Sequence, residues 1–264
     1  ADFDIAEVMR IHFIRRVHEN KALVSPRVVI GIPSGVPGVE RRAVMDAALQ
    51  AGARQVYLID EPVAAAIGAG LPVDEPTGNM IVDIGGGTTE VAVLSLQGSV
   101  RSESVRVAGD ELTDSIKQYM KKVNNLDIGD RTAEEIKVKI GSAYPSVEDD
   151  EAALEVRGVH MLSGLPRTVT VKSPEIRESM AEPLSVIVEA VKRTLEDTPP
   201  ELAADIIDRG IKLAGGLDTL ISHETGIVVH VAADPLSCVV LGTGRVLENF
   251  SQMERVFSAK SRDL

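Results

Sequence analysis

The sequence predicts an α/β fold, and three observations carry the prediction. The run Val28-Val29-Ile30-Gly31-Ile32 is continuously apolar, which suits a strand buried on both faces of a parallel sheet. A helical pattern follows it, with Val44, Ala47, Ala48 and Ala51 at i, i+3, i+4 and i+7 and Gly52 as the stop. A second strand pattern at residues 55–59 and an Ala-rich helix at 62–68 complete the order strand, helix, strand, helix, the α/β signature. The 264 residues suffice for one large domain or two compact ones, at roughly 150 residues per domain.

Ahead of this unit, Ile5, Val8, Met9, Phe13, Ile14 and Val17 recur at helical spacing, with Asp4 as a reasonable N-cap. Pro33 to Gly38 is a loop by composition, and residues 71–78 are the clearest hinge candidate. Strands are expected at 80–84, 90–96 and 99–107, the last two joined by a turn at Gln97-Gly98. A helix from Asp110 to about Val123 sets Leu112, Ile116, Tyr119, Met120 and Val123 on one face. Thr132-Ala133-Glu134-Glu135 is a capping-box pattern opening a helix through Ile140. Residues 153–159 and 166–172 form a hairpin pattern. Ser173 as N-cap and Pro174 at the first helical position start a long helix. Pro183 should kink or divide it, and Thr198-Pro199-Pro200 ends it. Strands at 211–214 and 228–231 follow, then a core helix from Asp234-Pro235 past Gly242 and Gly244, and a mixed tail from Phe250 that should fray.

Composition excludes several classes. The net charge of −12 argues against a broad nucleic-acid surface, and aromatics at 3% with no Trp argue against base stacking. No apolar run approaches the ~18 residues of a membrane span, and the acidic opening Ala1-Asp2-Phe3-Asp4 does not resemble a signal peptide. That opening lacks an initiator Met and reads like a chain entered midway. His12, His18, His160, His223 and His230 have no metal-ligand spacing, and the single cysteine, Cys238, reads as a core residue in a reducing compartment.

The most specific segment is Asp83-Ile84-Gly85-Gly86-Gly87-Thr88-Thr89-Glu90, where an apolar strand ends in Asp and a second strand follows the glycines. Glycines let backbone N–H groups approach phosphate oxygens, and Asp83 at the strand end could hold Mg²⁺ directly or through water. The bland alternative is a glycine-rich hairpin turn. The segment is not a P-loop, which runs into a helix and ends in Gly-Lys-Ser/Thr. Glu61 has two readings: a helix N-terminal residue favoured by the macrodipole, or a carboxylate that orients water. Leu23 and Val24, beside Lys21 and Arg27, have two as well: a membrane-touching loop or a buried loop end.

The phosphate-loop segment resembles that of the actin, Hsp70 and sugar-kinase superfamily. Ile30-Gly31-Ile32-Pro33-Ser34-Gly35, Glu40-Arg41-Arg42-Ala43, Glu61-Pro62 and Ala64 to Pro72 are similar to the MreB family of bacterial actin homologues. So are Arg131 to Lys137, Ile140 to Pro145, Thr198 to Ile206 and Asp234-Pro235-Leu236. The resemblance spans nearly the whole chain. It implies an actin-like, ribonuclease H-like two-lobed ATPase fold with the nucleotide in a central cleft. By position it implies subdomain IA at 1–76 and 235–264, IIA at 77–128 and 200–234, and IIB at 129–199.

The resemblance also implies roles. Gly85, Gly86, Gly87 and Thr88 would hold the β- and γ-phosphates of ATP, and Asp83 would hold Mg²⁺ through water. Glu61 would orient the attacking water, with Thr88 or Thr89 sharing in its placement. Glu134, Glu135, Ile136 and Lys137 would contact adenosine, and Gly215-Gly216 would begin the loop over adenine; read alone, the first set is only a solvated capping-box helix. Leu23 and Val24 would touch the membrane. The implied partners are other copies of the chain in a filament, the inner face of the cytoplasmic membrane and the wall-synthesis machinery, with no nucleic acid. ATP hydrolysis would be coupled to polymerisation in determining cell shape.

The sequence departs from the family in two places. The Asp-x-Gly first phosphate loop is expected upstream of Ala1, and the loop at Gly215-Gly216-Leu217-Asp218 is short and lacks a third glycine. If both gaps are real, this stretch alone should bind ATP weakly and should not hydrolyse it efficiently. A monomeric kinase would need a substrate-binding insert, and a chaperone-like ATPase a peptide-binding domain; neither is visible. A filament protein without catalysis is the remaining rival.

Overall fold

The computed structural model describes residues 25–260 together with Val8, Met9, His12, Phe13 and Arg16. Those five are helical, in line with the expected helix at 4–17. Asp4, Leu23 and Val24 lie outside the described residues.

The described chain opens with β1 (Arg27–Ile32), α1 (Gly38–Gln50), β2 (Gln55–Asp60) and α2 (Glu61–Gly68). Then come β3 (Asn79–Ile84), β4 (Thr89–Ser95), β5 (Gly98–Val105) and α3 (Gly109–Asn124). A smaller section holds β6 (Leu126–Asp127), α4 (Asp130–Ile140), α5 (Val147–Asp150), β7 (Ala153–His160) and β8 (Pro166–Lys172). The remainder is α6 (Ser173–Glu196), α7 (Pro200–Arg209), β9 (Ile211–Ala214), α8 (Asp218–Thr225), β10 (Val229–Val231), α9 (Cys238–Glu248) and β11 (Phe257–Lys260).

Three sheets result: β1-β2-β11, β10-β9-β3-β4-β5 and β6-β7-β8. β1 and β2 are parallel, with α1 as the crossover, and β11 runs antiparallel on the other side of β2. In the five-stranded sheet β9 is parallel to both β3 and β10, while β3, β4 and β5 form an antiparallel meander. The two faces of β3 and β4 feed different cores. Met80, Val82, Val91 and Val93 pack with Ile116, Met120, Ile136 and Ile187. Ile81, Ala92 and Leu94 pack instead with the Ala64-Ala65-Ala66 face of α2 and with Val246 of α9. The α2–α9 pair therefore contacts the second face of the larger sheet, and the N-terminus of α2 is brought beside the end of β3.

Glycine sets how close α2 and α9 come. A Cβ on Gly68 would lie 1.8 Å from the carbonyl oxygen of Cys238, and one on Gly242 would lie 1.9 Å from that of Ala64. Any side chain at either position would drive the helices apart. Cys238 is buried at this seam, as expected of a core residue.

Several local expectations need correction. β1 is not buried on both faces: it is an edge strand among the described residues, with Val28 to Gly31 only partly buried. The β4–β5 turn is Leu96-Gln97, both at positive φ, because a two-residue loop between Ser95 and Gly98 needs this twist. α4 starts at Asp130, so Thr132 lies inside its first turn and caps nothing. α6 runs unbroken through Pro183, whose ring is buried in the core. Its N-cap is Lys172, whose N–H donates to Glu175 Oε2 at 2.7 Å. The tail does not fray at Phe250: β11 adds to β2, and Phe250 and Phe257 pack on Tyr57. α7 and α8 were not anticipated. Helix α6 packs against α3, β4 and β5 and also reaches β8, so it is shared between two sheets.

Candidate nucleotide site

The glycine loop is the tip of the β3–β4 hairpin, whose last paired residues are Ile84 and Thr89. Two helix N-terminal donors hold it. Gly109 N–H donates to the carbonyl of Gly85 at 3.1 Å, and Asp110 N–H to that of Gly86 at 2.8 Å. In a trans peptide the C=O and the next N–H point in opposite directions. The N–H groups of Gly86 and Gly87 therefore face away from α3. The N–H of Gly85 is spent inside the loop on the carbonyl of Thr88, at 2.9 Å. The loop thus offers anion donors at Gly86 and Gly87 on its free side.

Thr88 is partly exposed, but Thr89 is fully buried and its hydroxyl donates to the carbonyl of Val107 at 2.8 Å. Of the two hydroxyls proposed to place water, only Thr88 is presented to solvent.

Three carboxylates gather beside the loop. Asp83 and Glu90 are directly opposed across β3 and β4. Glu61 starts α2, and its Cγ lies against Gly31, where a Cβ would sit 3.4 Å from it. Burial, then the charges of Glu90 and Asp83, push the Glu61 carboxyl up to about 7. Burial, then Glu90, pushes Asp83 up to about 6. Glu90 is also raised, by burial, against hydrogen bonds from Ser104 and Ser34 that favour its charged form. Among the described residues no group of three or more His, Cys, Asp or Glu forms a ready-made metal cage.

The four residues expected to touch adenosine separate by helical face. Ile136 is fully buried in the core with Ala133 and Ile140, so its side chain cannot reach a ligand. Glu135 points outward and pairs with Lys139 at 2.5 Å. Lys137 Nζ donates to the carbonyl of Gly109 and to Thr113 Oγ1, both at 2.9 Å, and pairs with Glu134 at 2.6 Å. Glu134 and Lys137 therefore brace the start of α3, which holds the glycine loop. Gly216 lines a cavity of about 260 Å³ between residues 141–146 and 216–220. Gly215 packs on Ile84, 3.2 Å from where its Cβ would be.

Sequence reasoning missed Glu90 and Asp110. Asp110 places its carboxylate 3.5 Å from where a Gly86 Cβ would lie, so it adjoins the loop as well. An acidic residue right after Gly109, at the first turn of α3, was the available signal.

The chain is similar to known proteins in both sequence and fold. The family model described as MreB/Mbl protein matches residues 1–255. Cell shape-determining protein MreB of Escherichia coli (strain K12) is 53% identical over 255 residues, covering 94% of this chain and 73% of that protein. Cell shape-determining protein Mbl of Bacillus subtilis (strain 168) is 44% identical over 261 residues, covering 97% and 78%. The crystal structure of MreB5 of Spiroplasma citri bound to ADP superposes with a TM-score of 0.89 at 35% identity, over 96% of this chain and 77% of that one. The same protein bound to AMPPNP gives 0.86 at 33% identity, with the same coverage.

Proposed function

This chain belongs to the MreB/Mbl protein family and has its actin-like fold, and from that membership we propose that it is a nucleotide-dependent filament protein that shapes the cell. The observation that carries this reading is the glycine loop held by the α3 N-terminus, with Glu61 and Asp83 beside it. It lies in a chain similar to one solved with ADP and with AMPPNP.

Gly86 and Gly87 bind the terminal phosphates of ATP through their N–H groups, and Thr88 adds a hydroxyl. Asp83 and Glu61 fit a divalent cation nearby. Both carboxyls are raised by burial and by neighbouring negative charge, with no cation among the causes. Asp83 would hold Mg²⁺ through water, as a hard ion prefers, and the ion would supply positive charge against the phosphates when bound. Glu61, at about 7, has the proton affinity of a group that orients water and accepts its proton near neutral pH. Lys137, Glu134 and Thr113 keep the α3 N-terminus in register with the loop. Gly216 and its cavity take the base.

In the same reading, subdomain IA comprises 1–76 and 235–264, IIA 77–128 and 200–234, and IIB 129–199. Hydrolysis by Glu61 loosens a polymer that ATP favours. Leu23 and Val24 touch the inner face of the cytoplasmic membrane, with marginal affinity per subunit that the polymer multiplies. The filament then guides wall synthesis. Among the described residues no helix is long and apolar enough to cross a membrane. Displacement of a fluorescent ATP analogue by ADP and AMPPNP, with and without Mg²⁺, tests the site. Saturable, Mg²⁺-dependent binding that weakens in Gly86→Val supports it; equal binding by that variant removes the glycine loop from the site.

A further inference from the structure

We propose that Glu90 is a positioning residue whose buried carboxylate ties the Pro33-Ser34-Gly35 loop to the phosphate-loop hairpin and so fixes the facing of the two sheets. The proposal rests on the reading of this cleft as an ATP site. Glu90 is 1% exposed. Its Oε2 accepts the backbone N–H of Ser34 at 3.0 Å, and its Oε1 accepts the hydroxyl of Ser104 at 2.6 Å. Ser34 follows β1 in the three-stranded sheet, while Ser104 lies on β5 of the five-stranded one. One carboxylate thus bonds both sheets at once.

The location makes this tie consequential. Ser34, Gly35, Gly87, Thr88 and Ser104 line one cavity of about 960 Å³, so the Pro-Ser-Gly loop faces the glycine loop across open space. Glu90 lies directly opposite Asp83 in the hairpin that presents the glycines. Like charges placed directly across two strands destabilise a sheet, and a buried carboxylate is costly where an apolar residue would pack. A role in structure alone would be met more cheaply by valine, which alternates well on a buried strand. What a carboxylate adds is two acceptor atoms aimed at two different sheets.

Gln can retain the tie without the charge: its carbonyl accepts from Ser34 N–H, and its amide donates to Ser104 Oγ. Ala cannot. The test compares the parent, Glu90→Ala and Glu90→Gln by amide hydrogen exchange at residues 33–37 without nucleotide, and by steady-state phosphate release. Glu90→Ala is expected to exchange at Ser34 about tenfold faster or more, as a loop that has lost its anchor opens. Its kcat falls with KM for ATP little changed, and Glu90→Gln recovers both protection and turnover to within about threefold of the parent. Unchanged Ser34 exchange in Glu90→Ala overturns the proposal, as does equal impairment of both variants, which would assign the effect to charge. If Glu90→Ala loses its folded circular-dichroism spectrum, Glu90→Val, which packs well on a buried strand, serves in its place: faster exchange at 33–37 supports the tie and unchanged exchange refutes it. If no variant or parent hydrolyses ATP, exchange still decides the tie, and only the ATPase reading falls.

Discussion

Replacing Glu61 by Gln should make the nucleotide-free protein more stable at alkaline pH and the ATPase slower. In the fold the Glu61 carboxyl is raised from 4.5 to about 7, chiefly by burial and then by Glu90 and Asp83. A group raised on folding binds more protons in the native state, so stability falls as pH climbs from the unfolded to the folded value. At about 1.4 kcal/mol per pKa unit, the rise corresponds to a ceiling of about 3 kcal/mol above pH 7. Glu61 is only partly buried, and solvent screening reduces this to about 1–2 kcal/mol. Gln keeps the shape and carries no charge. Urea unfolding at pH 8 without nucleotide or Mg²⁺ should therefore show Glu61→Gln more stable than the parent by about 1–2 kcal/mol. The gap should narrow as pH falls and close near pH 4, where the parent carboxyl is protonated in both states. Phosphate release should drop by about a hundredfold or more while filaments still form with ATP. A variant no more stable at pH 8, or one that releases phosphate at the parent rate, would refute the assignment of a charged, water-orienting Glu61.

Other outcomes follow from the same geometry. Gly242→Ala forces a Cβ to within 1.9 Å of the Ala64 carbonyl and should cost about 3 kcal/mol or more, seen as a fall of roughly 6–12 °C in Tm. Lys137→Met leaves Glu134 and the Gly109 carbonyl without their cation, so stability should fall by about 1–3 kcal/mol and nucleotide affinity with it, read by urea melts and analogue displacement. Asn125 ends α3 in the left-handed region at φ 50, so Asn125→Gly should be neutral to slightly stabilising, whereas Asn125→Val should lower stability by about 1–2 kcal/mol in the same melts. Thr89→Val should leave nucleotide binding unchanged within about threefold and cost about 1 kcal/mol, since its hydroxyl serves Val107 and not the cleft.

The glycine loop was legible because its signal is local: an apolar strand, an Asp, three glycines and another strand stand side by side in sequence. Glu61 was legible only in part: the residues alone left a helix N-terminal residue and a water-orienting carboxylate both open, and only the family resemblance chose the second. Glu90 was not, because its meaning lies in a bond to Ser34, 56 residues away, and in which face of β4 it occupies. The adenosine set failed at Ile136 for a reason the sequence did contain. Ala133, Ile136 and Ile140 recur at helical spacing, and that apolar stripe belongs to the core. β11 escaped because its partner among the described residues, β2, lies about 200 residues earlier and leaves no nearby hairpin signal. α7 escaped because Pro199-Pro200 signals the end of one helix and the start of the next equally well, Pro200 being suited to the first turn.

The most direct test of the account is sedimentation of the protein with Mg²⁺-ATP, followed by electron microscopy of the pellet. The account predicts filaments that pellet with Mg²⁺-ATP, persist in Glu61→Gln and are lost when Gly86 is changed to Val. A protein that stays in the supernatant under Mg²⁺-ATP while phosphorylating a small-molecule acceptor would contradict it.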